Sequence, residues 1–117
     1  MTFGNIAVFD KIREFMGQRI TSAYQAVGDP FEYPIRIITI TNGTDQPVYF
    51  STNNVDQQLR FSPGSHRVFD LTANRSRHEG FFMPAGVQFY VKLALTTNPP
   101  TPAADTAVWI EAIVHKS

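Results

Sequence analysis

Turn residues recur about every eight to twelve positions from Gly17 onward, and this rhythm limits the chain to a small set of folds. Between the turns lie short runs rich in β-branched and aromatic residues, such as Ile35–Thr41, Val48–Ser51 and Ala107–His115. Such a pattern is typical of a sandwich or a barrel. We therefore predict an all-β fold, an antiparallel β-sandwich of jelly-roll or Ig-like type with about eight short strands.

The other strands follow from the same turn signals. We predict them at Arg19–Ala26, Gln58–Phe61, Arg67–Leu71, Gly80–Met83 and Val87–Leu95. Within Val87–Leu95 apolar and polar residues alternate, which predicts one buried and one wet face. The Asn42-Gly43 pair stands between two strand-like runs, so we predict a hairpin there that joins Ile35–Thr41 to Val48–Ser51.

The first residues have a different periodicity. Ile6, Phe9, Ile12 and Phe15 recur at a spacing of three, followed at once by Met16, and charged residues lie between them. This spacing predicts a short amphipathic helix over residues 5–16, which Gly17 ends. We therefore divide the chain into an N-terminal amphipathic arm at residues 1–17 and a β-sandwich domain at residues 18–117.

The bulk composition excludes several classes of function. A chain of 117 residues suits one domain with its own core. Ten basic residues balance ten acidic ones, which disfavours a general binder of polyanions. The chain contains no cysteine, so disulfides and thiolate sites are excluded. The sequence has neither a secretion signal nor a long apolar run, and we expect a soluble protein that folds in a cytoplasm.

No pattern of residues predicts catalysis. The histidines at positions 66, 78 and 115 are not spaced as a pair of metal ligands, so we predict no metal site and no cofactor. His66 and Asp70 would share one strand face but stand about 13 Å apart along it. A nucleophile elbow and a phosphate-binding glycine loop are both absent from the sequence. Two carboxylates that converge in space stay possible, because spacing alone does not reveal them.

Candidate contact residues come from two segments. The loop at residues 74–78 holds the one local concentration of positive charge, where Arg75 and Arg77 suit a polar rim and a solvated turn is the alternative. Aromatic residues are dispersed over the strands, where they fill a core or line a shallow groove for a sugar or a subunit. The predicted partner-binding residues are Phe3, Ile6, Phe9, Ile12, Phe15, Arg75 and Arg77.

Several strand and turn segments resemble a group of small structural proteins from tailed bacteriophages. The segments that carry the resemblance are Tyr24–Gly28, Pro34–Ile38, Asn42–Asp45, Val48–Ser51, Phe69–Asn74, Phe82–Gly86, Phe89–Lys92 and Ala107–Glu111. The resemblance covers residues 19–117 and leaves out the first seventeen or so. It implies a β-sandwich subunit of a virion, located in the head or at the head-to-tail junction in several symmetric copies.

The sequence hypothesis is therefore a non-enzymatic structural subunit of a bacteriophage virion, either a decoration or cement protein or a connector. Its partners would be other virion proteins (major capsid, portal or tail components) and copies of itself, with no specific nucleic acid and no membrane. We expect it in the virion after synthesis in the host cytoplasm. The alternative is a module of a tail tip or fibre that recognises a host glycan or receptor. An enzyme is the third possibility.

Overall fold

The computed structural model describes residues 6–71, 83–94 and 100–116, which form two antiparallel β-sheets packed together. This arrangement confirms the prediction of an antiparallel β-sandwich. The strands of the described residues are β1 Ile6–Phe9, β2 Arg13–Met16, β3 Gln25–Ala26, β4 Ile35–Asn42, β5 Val48–Ser51, β6 Leu59–Phe61, β7 His66–Asp70, β8 Tyr90–Leu93 and β9 Ala107–Lys116.

The strands divide between the sheets without regard to their order along the chain. Sheet A has the order β1-β9-β4-β7, and β2 lies beside β1 on the same edge of β9. Sheet B has the order β3-β8-β5-β6. The ten-residue β9 therefore lies at the centre of sheet A, paired with β4 on one edge and with β1 and β2 on the other.

The core fills the space between the two sheets. In β9 every second residue from Val108 to Val114 is buried, and Ile38 of β4 is buried beside Ala112. Sheet B contributes Phe50 and Phe61, whose rings meet edge to face with their centroids 5.2 Å apart. Alternation of buried and exposed residues leaves each sheet with one inner and one outer face.

The predicted N-terminal helix is wrong. Residues 6–9 and 13–16 are strands that pair with β9, and the one helical element in the described part of the chain is a 3₁₀ turn at Gly17–Arg19. The bend at residues 10–12 resets the alternation, so Phe9 faces outward while Phe15 packs against the core. Two four-residue strands separated by this bend reproduce the three-residue spacing that we interpreted as a helix.

Most of the other strand predictions are accurate to within a few residues. The predictions for β4, β5, β6, β7 and β9 differ from the observed bounds by at most one residue at either end, and Phe89, Val91 and Leu93 form the predicted buried row around β8. The predicted strand Arg19–Ala26 is mostly wrong, because strand pairing is limited to Gln25–Ala26. The predicted strand at residues 80–83 lies outside the described residues except for Met83, which pairs with Ile35.

The predicted hairpin at Asn42–Asp45 is also wrong. β4 belongs to sheet A and β5 to sheet B, so the chain crosses here from one sheet to the other. The Asn42 side chain is fully buried, and its amide nitrogen donates to the carbonyl oxygens of Gln46, Phe61 and Ser62. Its amide oxygen accepts from the backbone nitrogen and the hydroxyl of Thr44. Asn42 thus fixes the crossing and makes no hairpin turn.

Gly43 is required at this crossing by close packing. A Cβ atom there would lie 2.6 Å from the Trp109 ring and 2.8 Å from the carbonyl oxygen of Ala107. Both distances are below what real Cβ atoms tolerate, and one of the atoms belongs to the backbone. Asn42 is therefore needed for its buried, hydrogen-bonded amide, and Gly43 is needed because the Trp109 ring packs against its backbone.

Candidate docking surface

Apolar side chains gather on the outer face of sheet A. Phe9, Ile113 and Ile37 are cross-strand neighbours on β1, β9 and β4. Ile113 lies between two buried residues, Ile37 precedes the buried Ile38, and Phe9 follows Val8, which packs against the core. Phe9 is 85% exposed, and Val68 on β7 is 59% exposed. We call this surface the apolar face; its members are Phe9, Met16, Ile37, Val68, Trp109 and Ile113.

Three carboxylates lie among these apolar residues. Glu14 on β2 is the cross-strand neighbour of Trp109, Glu111 on β9 is the neighbour of Thr39, and Asp70 on β7 is the neighbour of Ile37. All three are exposed residues. The same outer face carries Arg36, which bonds to His115. Glu111 lies at the centre of the face, so a partner that covers it must supply a cation or leave this charge hydrated.

Arg13 attaches β2 to the rest of the sandwich. Its side chain is 4% exposed, and its guanidinium carbon lies 3.7 Å from the centre of the Phe31 ring. Nε donates to the carbonyl oxygen of Asp29 at 2.7 Å, and Nη1 donates to the Asp10 carboxylate at 3.0 Å. Further bonds reach the carbonyl oxygens of residues 11 and 30. This network holds the bend that turns Phe9 outward.

Gly28 makes room for that arginine. Its φ is +67°, a conformation that L side chains rarely adopt, and a Cβ atom would lie 2.7 Å from Cγ of Arg13. The loop that follows Gly28 can therefore approach the guanidinium closely. A side chain at position 28 would therefore collide with the Arg13 side chain.

The outer face of sheet B carries aromatic rings and cations in alternation. Tyr49 of β5 has Lys92 as its neighbour on one side and Arg60 on the other, and Tyr24 precedes β3 on the far side of Lys92. The Lys92 ammonium lies 4.7 Å from the centre of the Tyr24 ring and 5.9 Å from that of Tyr49. We call Tyr24, Lys92, Tyr49 and Arg60 the tyrosine–cation row; it runs across sheet B from the residue before β3 to the edge strand β6.

Tyr24 is anchored at the end of this row. Its hydroxyl donates to the backbone carbonyl of Asp56 at 3.0 Å. Partial burial raises the pKa of Tyr24 above its ordinary value, and the nearby Asp56 carboxylate and Tyr49 add to the rise. The hydroxyl therefore stays protonated at neutral pH and keeps its role as a donor.

The predicted contact residues fall into three groups. Phe9 and Ile12 are exposed, at 85% and 59%, and Ile12 lies in the bend beside Phe9. Phe15 points into the sandwich, where it is partly buried against the core, and is not a member of the apolar face. Phe3, Arg75 and Arg77 lie outside the described residues, as does the side chain of Ile6.

The histidines are placed as follows. His66 and Asp70 are exposed residues on β7, at opposite ends of the strand. His115 of β9 lies beside Arg36, whose Nε is 3.2 Å from its Nδ1 atom. Among the described residues, no group of three or more histidine, aspartate or glutamate side chains is arranged to hold a metal ion. His78 lies outside the described residues.

Sequence reasoning missed Val68, Glu111 and the tyrosine–cation row as candidate surface residues. The alternation of apolar and polar residues in Val87–Leu95 did place Lys92 on the solvent-exposed face of its strand, so this one member of the row was predictable. Its neighbours Tyr49 and Arg60 depend on which strands pair and in which register, and no local pattern encodes that pairing.

Comparisons with protein-family models, with curated proteins and with solved structures return no match. Across the described segments, no helix has both the length and the apolar character needed to cross a membrane.

Proposed function

We propose that this chain is a non-enzymatic structural subunit of a bacteriophage virion, in the head or at the head-to-tail junction, acting as a decoration or cement protein or as a connector. It binds other virion proteins or copies of itself through the apolar face. The virion placement rests on the resemblance of residues 19–117 to small structural proteins of tailed phages.

The observation that carries the proposal is the exposure of Phe9. Its side chain is 85% exposed although it stands in a row with Ile113 and Ile37 on a sheet. The outer face of an antiparallel sheet is ordinarily polar, because water covers it. A row of large apolar side chains on such a face is typical of a surface that another protein covers.

The energetic scale favours a multivalent contact. Burying Phe9, Val68 and Ile113 stabilises a complex by about 1.5–3 kcal/mol per side chain. Together the three side chains supply about 4.5–9 kcal/mol. Association costs roughly 4–15 kcal/mol in lost rigid-body freedom, so a single contact leaves little or no surplus. Repetition of the contact around a symmetric particle supplies the remainder, as expected for a subunit present in several copies.

Incorporation into particles tests this proposal. In particles purified from a phage lysate that expresses the chain, mass spectrometry should find it at a fixed ratio to the major capsid protein. Replacing it with the Phe9→Ser variant should lower incorporation by about tenfold or more, which corresponds to the loss of about 1.4 kcal/mol or more.

The matched control is Val55→Ser. Val55 is 73% exposed but lies in the loop between β5 and β6, away from the apolar face. This variant should be incorporated like the wild type. Absence of the chain from purified particles, or full incorporation of a folded Phe9→Ser variant, would contradict the proposal.

The tyrosine–cation row favours a second candidate, recognition of a host glycan or receptor by a tail tip or fibre. Tyrosine rings on an open sheet stack on sugar rings. Against this, the Lys92 ammonium already lies over the Tyr24 ring at 4.7 Å, where a sugar would stack. Binding of bacterial surface polysaccharides that is lost in Tyr49→Ala and retained in Phe9→Ser would favour the second candidate.

A further inference from the structure

We propose that the apolar face of one copy docks onto the tyrosine–cation row of a second copy, so that copies of this chain associate head to tail. This inference rests on the proposed function, because it names the partner of a surface that the proposal assigns to assembly.

The charges of the two faces are complementary. Glu14 and Glu111 are exposed on the outer face of sheet A. Lys92 and Arg60 flank Tyr49 on the outer face of sheet B. Face-to-face docking brings carboxylates and cations within the roughly 8–10 Å over which charges interact in physiological salt. It thus lowers the cost of covering Glu111, which no apolar partner could do.

Docking of like faces lacks this complementarity. An apolar face placed on its own copy brings the carboxylates of Glu14, Glu111 and Asp70 toward the same three carboxylates, and Arg36 on this face already bonds to His115 of its own copy. A tyrosine–cation row placed on its own copy brings Lys92 and Arg60 toward the same two cations. Like charges in a desolvated contact are unfavourable, so the geometry favours the contact between unlike faces.

The side-chain types also match. Tyr49 presents a rigid ring with a polar tip, the composition common in the cores of protein interfaces, while Lys92 covers the Tyr24 ring. The apolar face offers Phe9, Val68 and Ile113 for the Tyr49 ring to pack against. Both faces are four strand positions wide, about 19 Å at ~4.8 Å per strand.

The size of the contact predicts weak pairwise binding. The four residues of β8 span about 14 Å, so the footprint on sheet B is roughly 300 Å². A stable interface buries about 800 Å² per partner. A single contact is therefore weak. Because the two faces lie on opposite sides of the sandwich, each copy makes two such contacts, and the contacts repeat around a ring or along a filament.

Charge reversal on the two faces tests the inference by sedimentation velocity from about 10 μM to 1 mM. The wild type should associate in a concentration-dependent manner. Glu111→Lys alone and Lys92→Glu alone should each weaken association at least tenfold, because each places like charges across the contact. An equimolar mixture of the two variants should recover association, since every contact between unlike variants again joins a cation to a carboxylate.

Controls and second variants keep the test independent of folding. Glu32→Lys makes the same charge change as Glu111→Lys at an exposed residue outside both sheets and should associate like the wild type. If Lys92→Glu disturbs Tyr24 and fails to fold, Arg60→Glu replaces it, since Arg60 is exposed on the edge strand β6. If Glu111→Lys fails to fold, Glu14→Lys replaces it as the charge reversal on sheet A.

The outcomes separate this inference from the proposed function. A wild type that stays monomeric at 1 mM overturns head-to-tail docking. A second result also overturns it: Phe9→Ser abolishes association, whereas Lys92→Glu and Arg60→Glu leave association unchanged. The apolar face would then dock on a surface other than the tyrosine–cation row. In both cases incorporation into particles decides the proposed function on its own.

Discussion

Arg13 is the residue on which the position of the N-terminal strands depends. It is one of the charged residues that lie between the apolar positions of the predicted helix, yet it is almost fully buried and bonds to four oxygen acceptors. No local pattern distinguishes such an arginine from a surface one. Its burial depends on Phe31 and on the carbonyl groups that follow Gly28, which reach it only through the tertiary fold.

We expect Arg13→Lys to lower the free energy of unfolding by about 2–3 kcal/mol. A lysine keeps the charge, but one ammonium group cannot reach the acceptors on Asp10, Asp29 and Pro30 together. Urea unfolding followed by circular dichroism measures the change. Lys11→Ala is the control, because the Lys11–Asp29 ion pair is well exposed and should contribute less than about 1 kcal/mol. Equal effects of the two variants would contradict this account of Arg13.

At the scale of elements, the crossing between the sheets depends on the Asn42 side chain. We expect Asn42→Asp to destabilise the fold by about 3 kcal/mol or more, because a carboxylate replaces the amide that donates to three carbonyl oxygens. Thermal and urea unfolding measure the loss.

The same substitution at a solvated asparagine provides the comparison. Asn54 is exposed in the loop after β5, and Asn54→Asp should change stability by about 0.5 kcal/mol or less. If Asn42→Asp were as mild, the side-chain bonds at the crossing would not hold the two sheets together.

Strands and crossings differ in how well the sequence predicts them. β4 and β9 were predictable because their β-branched residues run through the centre of sheet A. The Asn42-Gly43 pair was not, because its hairpin signature assumes a solvated turn, whereas here Asn42 is buried and Gly43 lies under Trp109. The helix prediction for residues 6–16 was wrong for a different reason. The bend shifts the phase of alternation, and these residues form strands because they pair with β9, some hundred residues away in the sequence.

For the whole molecule, the position of β1 and β2 changes what truncation does. We expect deletion of residues 1–17 to abolish cooperative unfolding and to expose apolar surface, because it removes Arg13 and Phe15 and uncovers one edge of β9. Circular dichroism during heating and binding of a hydrophobic dye detect both effects. A cooperative transition at the wild-type temperature would show that the sandwich does not need these strands.

The candidate surface was predictable in part, and for a reason that turned out to be wrong. The sequence predicts Phe9 and Ile12 as partner-binding residues, and the side chains of both are exposed, as a contact residue requires. It grouped them with Phe15 on one helical stripe, whereas Phe9 has Ile113 and Ile37 as its neighbours. The membership of the apolar face depends on strand register, which becomes known only when the sheets are assembled.

The central place of β9 has a consequence for synthesis. β1, β2 and β4 all pair with residues 107–116, which the ribosome adds long after them. At about 5–20 residues per second, residues 6–16 wait roughly 5–20 s for their partner strand. A nascent chain paused before Ala107 therefore holds β1, β2 and the β4–β7 pair with no strand to join them, and sheet A is completed only after translation has passed residue 116.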